Sequence, residues 1–369
     1  MSSQRLRIGI VGCGDVAQRH YVPGIATRAE YACITALADP TPGAPERMAD
    51  SIASWSPGAR TYRDVEEMLR SETLDGVFNL TPAPFHGPVN RAIVEAGVAC
   101  FSEKPLAATV RDADALIGLA SQTGTLLLCA PGSAASAPVR WLKELADSGR
   151  LGHPTLAVAH HADPGPAAWR EYTGDPTPFY REGVGPVFDH GVYRLHEMTA
   201  VLGPVRRVQA MGAIALPRRR VRGGPLTGQT IDVTTPDHVL IQLEFASGTL
   251  GQLLASFGTL DTLAPWLELH LERGVVSFGG KSWELDAPVS IYMDDETDAA
   301  TEGWAQNVEV PRDEFSVVQI GARHFIACLL GEATPVLTAE HARHVLDVIL
   351  AAYASIGDGS SHETSTTFS

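Results

Sequence analysis

The first third of the chain alternates short apolar runs with stretches of helical character. Leu6–Val11, Ile34–Ala38, Gly76–Leu80, the run from Ala99 to Ser102, and Thr125–Cys129 are mostly apolar segments of strand length. Such segments suit strands covered on both faces. Between them lie a helix reaching Ile25, a helix start at Asp64-Val65-Glu66-Glu67, a helix over about 88–96 closed by Gly97, and one over 111–121. Thr109 with Asp112 three residues on forms a capping signal for the last of these. This alternation predicts a doubly wound parallel sheet, a Rossmann domain over residues 1–130.

The pattern then changes. Ala137–Ala146 reads as a helix and Thr155–His160 as a strand, followed by a Pro/Gly-rich segment over 164–185 that carries Trp169, Phe179 and Tyr180. A connection this long is either a lid or binding loop, or an irregular packed surface loop. A helix then runs to Leu202, closed by Gly203. Phe188, Val192, Leu195, Thr199 and Leu202 share one stripe, and Asp189, Tyr193 and His196 share the next. His190 points away from both and reads as structural. His238–Phe245 and Thr249–Phe257 flank Ser247-Gly248 as a hairpin. Trp266–Glu272 alternates, with Leu267, Leu269 and Leu271 on one face and Trp266 and His270 on the other. Helices follow at 314–330 and 338–355. This predicts a second α/β domain over 131–357 with a mixed or antiparallel sheet, its last helix able to pack back on the first domain. Residues 358–369 are small and polar and are expected to fray.

The chain has 369 residues, enough for two cores. Its net charge of −15 argues against nucleic acid and against an anionic membrane. Arg218, Arg219, Arg220 and Arg222 beside Gly223-Gly224-Pro225 read as a solvated loop. Five cysteines, none in a CxxC pair, suit a reducing cytoplasm rather than a disulfide or zinc framework. No secretory signal is expected at the N-terminus, and no apolar run reaches the roughly 20 residues of a membrane span. The 13 histidines include no HxH or HExxH, so no metal is expected.

Three motifs carry chemistry. Gly12-Cys13-Gly14-Asp15-Val16-Ala17 is G-x-G-x-x-A between a strand and a helix. Gly12 permits the turn, Gly14 lets backbone approach a pyrophosphate, and Ala17 lets helix and strand close. Asp15 and Val16 lie along the same loop. Asp39 ends the second strand, 22 residues after Ala17, at the spacing of a carboxylate on the adenosine ribose. Pro40 and Thr41 follow, with no cation for a 2′-phosphate, so NAD(H) is favoured over NADP(H). Glu103-Lys104-Pro105 stands at the carboxyl end of a strand, where ligands bind in open α/β sheets. An isolated EKP would be no more than a charged pair in a loop.

With these motifs in order, the chain resembles the Gfo/Idh/MocA oxidoreductase family. Gly12-x-Gly14-x-x-Ala17, Asp39-Pro40, Thr81-Pro82 with His86, and Glu103-Lys104-Pro105 carry the resemblance, which continues into the second half. It implies a large open-faced sheet there, mostly antiparallel, and hydride transfer between nicotinamide and a carbinol of a sugar, nucleotide sugar or cyclitol. It implies that Lys104 binds substrate, that Thr81, Pro82 and His86 line the nicotinamide side, that Glu103 and Lys104 also belong to the cofactor site, and that Asp189 sits on the second signature helix. Where the family commonly has histidine this chain has Tyr193, so Lys104 and Tyr193 both stand as proton carriers, with Asp189 orienting them. Trp169, Tyr180 and His196 are the expected further substrate contacts. Two other readings stay open. One is an enzyme that oxidises transiently with retained NAD and has no net redox. The other is a catalytically silent NAD- or sugar-sensing protein. The outward sheet face is expected to join a homodimer or homotetramer.

Overall fold

The computed structural model describes residues 5–280, 287–294 and 302–368. It divides into two compact units. The first comprises residues up to 136 together with 315–346, and the second comprises 137–314 and 347 onward. The change of unit therefore falls after Ser136 rather than at 130, and the segment around 315–346 returns to the first unit.

In the first unit, six strands run parallel: β1 (Leu6–Val11), β2 (Ala32–Ala38), β3 (Arg60–Tyr62), β4 (Gly76–Asn79), β5 (Ala99–Ser102) and β6 (Leu127–Cys129). Their order is β3-β2-β1-β4-β5-β6. The order reverses between β1 and β4, which is where such sheets open a crevice at the carboxyl ends of their strands. The helices are α1 (Val22–Ala26), α2 (Ala44–Ile52), α3 (Val65–Ser71), α4 (His86–Glu95) and α5 (Val110–Thr123). Thr109 caps α5 by accepting from the Asp112 N–H. Tyr21, Phe78, Phe101 and Phe325 form an aromatic core with ring centroids 5.1–5.8 Å apart. Phe325 comes from a helix over Val317–Leu329, opened by a capping box between Ser316 and Gln319.

The second unit is built on α6 (Ala137–Asp147), β7 (Pro154–Ala162), α7 (Val192–Leu202), β8 (Val205–Ala213), β9 (Arg218–Arg220), β10 (Thr230–Asp232), β11 (His238–Phe245), β12 (Leu250–Ser256), β13 (Leu267–Leu271), β14 (Gly274–Phe278), β15 (Val289–Met293) and β16 (Gly303–Ala305). In chain order the Val317–Leu329 helix is α8, and α9 spans Ala339–Asp358. A short last strand, β17, spans His362–Glu363. The large sheet runs β16-β15-β14-β13-β7-β12-β11-β8-β17 and is mostly antiparallel, with β7 and β12 its parallel pair. β9 and β10 form a separate ribbon, so the Arg218–Arg220 cluster is a strand rather than a loop, and Arg219 is buried.

Two expectations are corrected. The tail does not fray: β17 pairs with β8, and the Asp347 carboxylate accepts hydrogen bonds from Ser365 and Thr366. Trp266 does not present a free face either. Its ring packs 4.8 Å from Phe278 and under the Arg194 guanidinium at 4.4 Å. Among the described residues no helix is long and apolar enough to cross a membrane.

Candidate functional site

Each unit gathers its own chemical groups. In the first unit they lie at the carboxyl edge, around the reversal between β1 and β4. Gly12 has φ +94°, and a Cβ there would stand 2.6 Å from the Leu80 carbonyl, so only glycine fits. A Cβ on Gly14 would meet nothing within 4 Å, which leaves open the approach a pyrophosphate needs. The helical run after the loop contains a π turn over Ala17–Tyr21. Single π turns inside helices recur at functional sites. Asp39 is fixed by two backbone donors, Cys13 N–H at 2.8 Å and Thr41 N–H at 2.8 Å. These residues fit a dinucleotide: an open glycine, a turn no side chain could enter, and a fixed carboxylate at the end of β2. Arg47, one cation beyond the residues adjoining Asp39, lies beside Gly43.

The EKP loop is held by its own acid. Glu103 is buried, its Oε1 accepting from the Tyr21 hydroxyl at 2.6 Å and its Oε2 from the Lys104 N–H at 2.9 Å. Lys104 is half-buried, and the Lys104–Pro105 peptide is cis. His86 is buried at 2 % exposure, with its ring nitrogens 2.7 Å from the carbonyl oxygens of Pro105 and Thr81. It therefore ties the EKP loop to the loop after β4 and does not line a ligand surface. Beneath both loops, Asn79 donates to Asn90 at 2.8 Å and accepts from the Thr81 hydroxyl at 2.6 Å; Asn90 donates to Ser102 and to the Leu106 carbonyl. Asn79, Asn90 and Tyr21 were not foreseen. A fully buried amide at a strand end and an aromatic on the glycine-loop helix are the only local signals for them. Pro82 is exposed at the same edge. Burial pushes the Cys13 thiol up to about 12, with the carboxylates of Asp39 and Glu46 adding to the effect.

In the second unit, α7 is preceded by a π turn over Val187–Gly191. Its i→i+5 hydrogen bonds take up an extra residue. Asp189 therefore does not share a simple stripe with Tyr193 and His196. The helix is also buried on every side from Val192 to Thr199, so the two-stripe division does not hold. Tyr193 is buried at 8 % exposure. His196 Nδ1 donates to the Val192 carbonyl at 2.8 Å inside the helix, and only 4 % of the residue is exposed. Tyr180 is a core residue at 0 % exposure, its hydroxyl accepting from the Ala167 N–H at 3.0 Å; burial pushes it up to about 12. Neither His196 nor Tyr180 presents a surface to a substrate. Arg194 and Glu197, both buried, form an ion pair at 2.7 Å. Burial lowers the arginine's pKa and Glu197 opposes the shift.

His190 is the residue the sequence pattern misplaced. Its Nδ1 lies 3.2 Å from Asp163 and its Nε2 3.3 Å from Asp189. Its ring is stacked on Trp169 at 5.3 Å and lies 4.2 Å from the His161 ring. So Trp169 does join Asp189, through His190. The available signal was His161-x-Asp163: alternation at a strand end puts both side chains on one face. His161, Asp163 and His190 bring their ligating atoms within 4.8 Å of one another. The absence of HxH and HExxH spacings says nothing about a cluster assembled from two segments. A cavity of ≈120 Å³ adjoins, lined among others by His161, Asp163, Asp261, Thr262 and Trp266.

Residues 6–130 match a family model described as "Oxidoreductase family, NAD-binding Rossmann fold" and residues 139–277 one described as "GFO/IDH/MocA C-terminal domain". The chain is similar to dTDP-3,4-didehydro-2,6-dideoxy-alpha-D-glucose 3-reductase of Streptomyces antibioticus, with 28 % identity over 73 % of this chain and 82 % of that protein. It is similar also to the enzyme of the same name from Streptomyces violaceoruber, with 30 % identity over 69 % of this chain and 72 % of that one. Among solved structures, the WlbA dehydrogenase of Chromobacterium violaceum in complex with NADH and UDP-GlcNAcA shares the fold at TM-score 0.77 and 20 % identity, covering 100 % of this chain and 98 % of that one.

Proposed function

The chain belongs to the Gfo/Idh/MocA oxidoreductase family, and on that premise we propose that it transfers a hydride between NAD(H) and a carbinol or ketone of a sugar, nucleotide sugar or cyclitol. The observation that carries the reading is the clamp on Lys104. A buried carboxylate, itself held by Tyr21, fixes the backbone of this lysine at the carboxyl end of β5. The named reductases that resemble the chain act, by their names, on a dTDP-linked keto sugar. That favours a polyhydroxylated substrate with an oxidisable ring carbon.

Bound nicotinamide supplies the hydride acceptor or donor. The chain's residues do the rest. Gly12 and Gly14 admit the pyrophosphate against backbone, and Asp39 accepts from the ribose hydroxyls. A carboxylate there repels a 2′-phosphate, which supports NAD(H) as the preferred cofactor. Lys104 donates to the substrate oxygen. Lys104 or Tyr193 then carries the hydroxyl proton, because hydride cannot leave the carbinol carbon unless that proton goes too. Asp189 accepts from a neighbouring hydroxyl and orients the substrate.

The test is a panel of free sugars, cyclitols and nucleotide sugars, run in both directions with NAD(H) and NADP(H) and followed by NADH or NADPH absorbance. At least one polyol or its ketone should turn over, with NAD(H) bound the tighter by calorimetry. Turnover with neither cofactor on any panel member would count against the reading, and tighter NADP(H) binding would count against the cofactor preference.

A further inference from the structure

We propose that His161, Asp163 and His190 form a binding site for one divalent transition-metal ion of the zinc class. The site lies wholly within the second unit, and its existence does not depend on hydride transfer.

The geometry is close to that of a metal site. Zinc–nitrogen and zinc–oxygen bonds of about 2.0–2.2 Å at tetrahedral angles place neighbouring ligand atoms roughly 3.3 Å apart. Asp163 Oδ2 lies 3.2 Å from His190 Nδ1 and 3.9 Å from His161 Nε2. All three ligating atoms fall within 4.8 Å of one another, so small side-chain movements, chiefly of His161, would close the set around an ion. Two imidazoles and a carboxylate are a borderline-soft donor set, suited to zinc and its neighbours and poor for magnesium or calcium, which prefer oxygen.

The surroundings are those of a built site. Both histidines are 3 % exposed. His190 would ligate through Nδ1, while its Nε2 faces Asp189 at 3.3 Å. A carboxylate on the far nitrogen of a ligating histidine fixes the tautomer and the ring plane and raises the basicity of the ligand. Trp169 stacked at 5.3 Å and Phe257 edge-on at 5.2 Å hold the same ring in its plane. The protein supplies three ligands, and the ≈120 Å³ cavity lined by His161 and Asp163 leaves room for a water or a substrate hydroxyl as the fourth. Three protein ligands with one open position is the arrangement of a reactive rather than a structural zinc site. The ion would also bind the catalytic candidate Asp189 into the same assembly through His190.

The experiment uses the full chain without a polyhistidine tag, stripped with chelator and titrated with Zn²⁺ by calorimetry and with Co²⁺ by visible absorption. We expect one ion per chain and a tetrahedral Co²⁺ spectrum. H161Q and D163N should each lower affinity by 10²-fold or more, and D189N by about 10- to 100-fold as an outer-shell change. NAD affinity and circular dichroism of each variant establish that it is folded. Failure of the wild-type protein to take up stoichiometric metal would mean that His190 simply bridges two carboxylates, and the proposal falls. Uptake unchanged in folded H161Q and D163N would place the ion elsewhere and also overturn it.

Discussion

Tyr21→Phe isolates the clamp on Lys104. The substitution keeps the ring that packs 5.7 Å from Phe78 and 5.8 Å from Phe101, so it opens no cavity. It removes one hydrogen bond of 2.6 Å to the Glu103 carboxylate. Hydrogen bonds to charged groups contribute about 1.5–3 kcal/mol net. Glu103 is only 8 % exposed, so water cannot easily replace the lost donor and the upper part of that range applies. We expect a loss of about 2–3 kcal/mol in urea unfolding of the first unit. Glu103 keeps its bond to the Lys104 N–H, so the loop loosens rather than unfolds. Turnover should fall about tenfold, less than the roughly 10²-fold that a displacement of about 1 Å costs a reacting group. NAD affinity should hold, because Gly12, Gly14 and Asp39 are untouched. A Tyr21→Phe protein as stable and as active as its parent would refute the reasoning, for the Tyr21 hydroxyl would then not be what steadies the Glu103 carboxylate behind Lys104.

Glu197→Gln leaves the Arg194 guanidinium buried without its carboxylate, 2 % exposed. It should cost about 3–5 kcal/mol in denaturant unfolding, and replacing both partners by apolar residues should cost less. The Cys13 thiol, pushed up to about 12 by burial and then by Asp39 and Glu46, stays protonated at neutral pH. Its alkylation rate should keep rising with pH past 9, whereas a plateau near the ordinary cysteine range would contradict the burial argument. Met211 and Leu240 are cross-strand neighbours exposed at 75 % and 47 % on the outward face of the large sheet, and Leu250, exposed at 55 %, lies farther along the same face on β12, opposite Glu244. We propose that a second copy covers this face. Light scattering should give at least a dimer, and Leu240→Glu should shift it toward the 39.3 kDa monomer.

The first unit was legible because its signals are local. A run of buried strand residues ending in Gly12, Asp39 or Glu103 announces a strand, its end and a group at the sheet edge within a few positions. The second unit carries its information at long range. β7 sits between β12 and β13, roughly a hundred residues away in sequence, and nothing near Thr155 says so. Helical stripes misled at α7 because a helix buried all round has no polar face to mark, and the π turn at Val187–Gly191 rotates Asp189 out of the i, i+4 register. The sequence around His190 gives no sign of its partners Asp163 and His161. Only the fold brings the end of β7 to it. The sequence marks Tyr180 only as a loop aromatic, and the fold buries it with its hydroxyl satisfied by the Ala167 N–H. The tail's composition alone does not show its pairing with β8. Small polar residues fray only when nothing accepts their hydrogen bonds, and Asp347 does.

The central claim, that Lys104 is the acid–base or substrate-polarising group of a hydride transfer, is tested most directly by Lys104→Met. This substitution keeps most of the apolar stem and deletes the ammonium. With the substrate found in the panel, steady-state turnover should fall on the order of 10²-fold or more while NAD affinity by calorimetry stays at the parental value. Tyr193→Phe, measured beside it, identifies the proton carrier. If tyrosine carries the proton, its loss should match that of lysine and the double variant should be little worse. If lysine carries it, Tyr193→Phe should chiefly raise KM. Parental kcat in Lys104→Met would contradict the account.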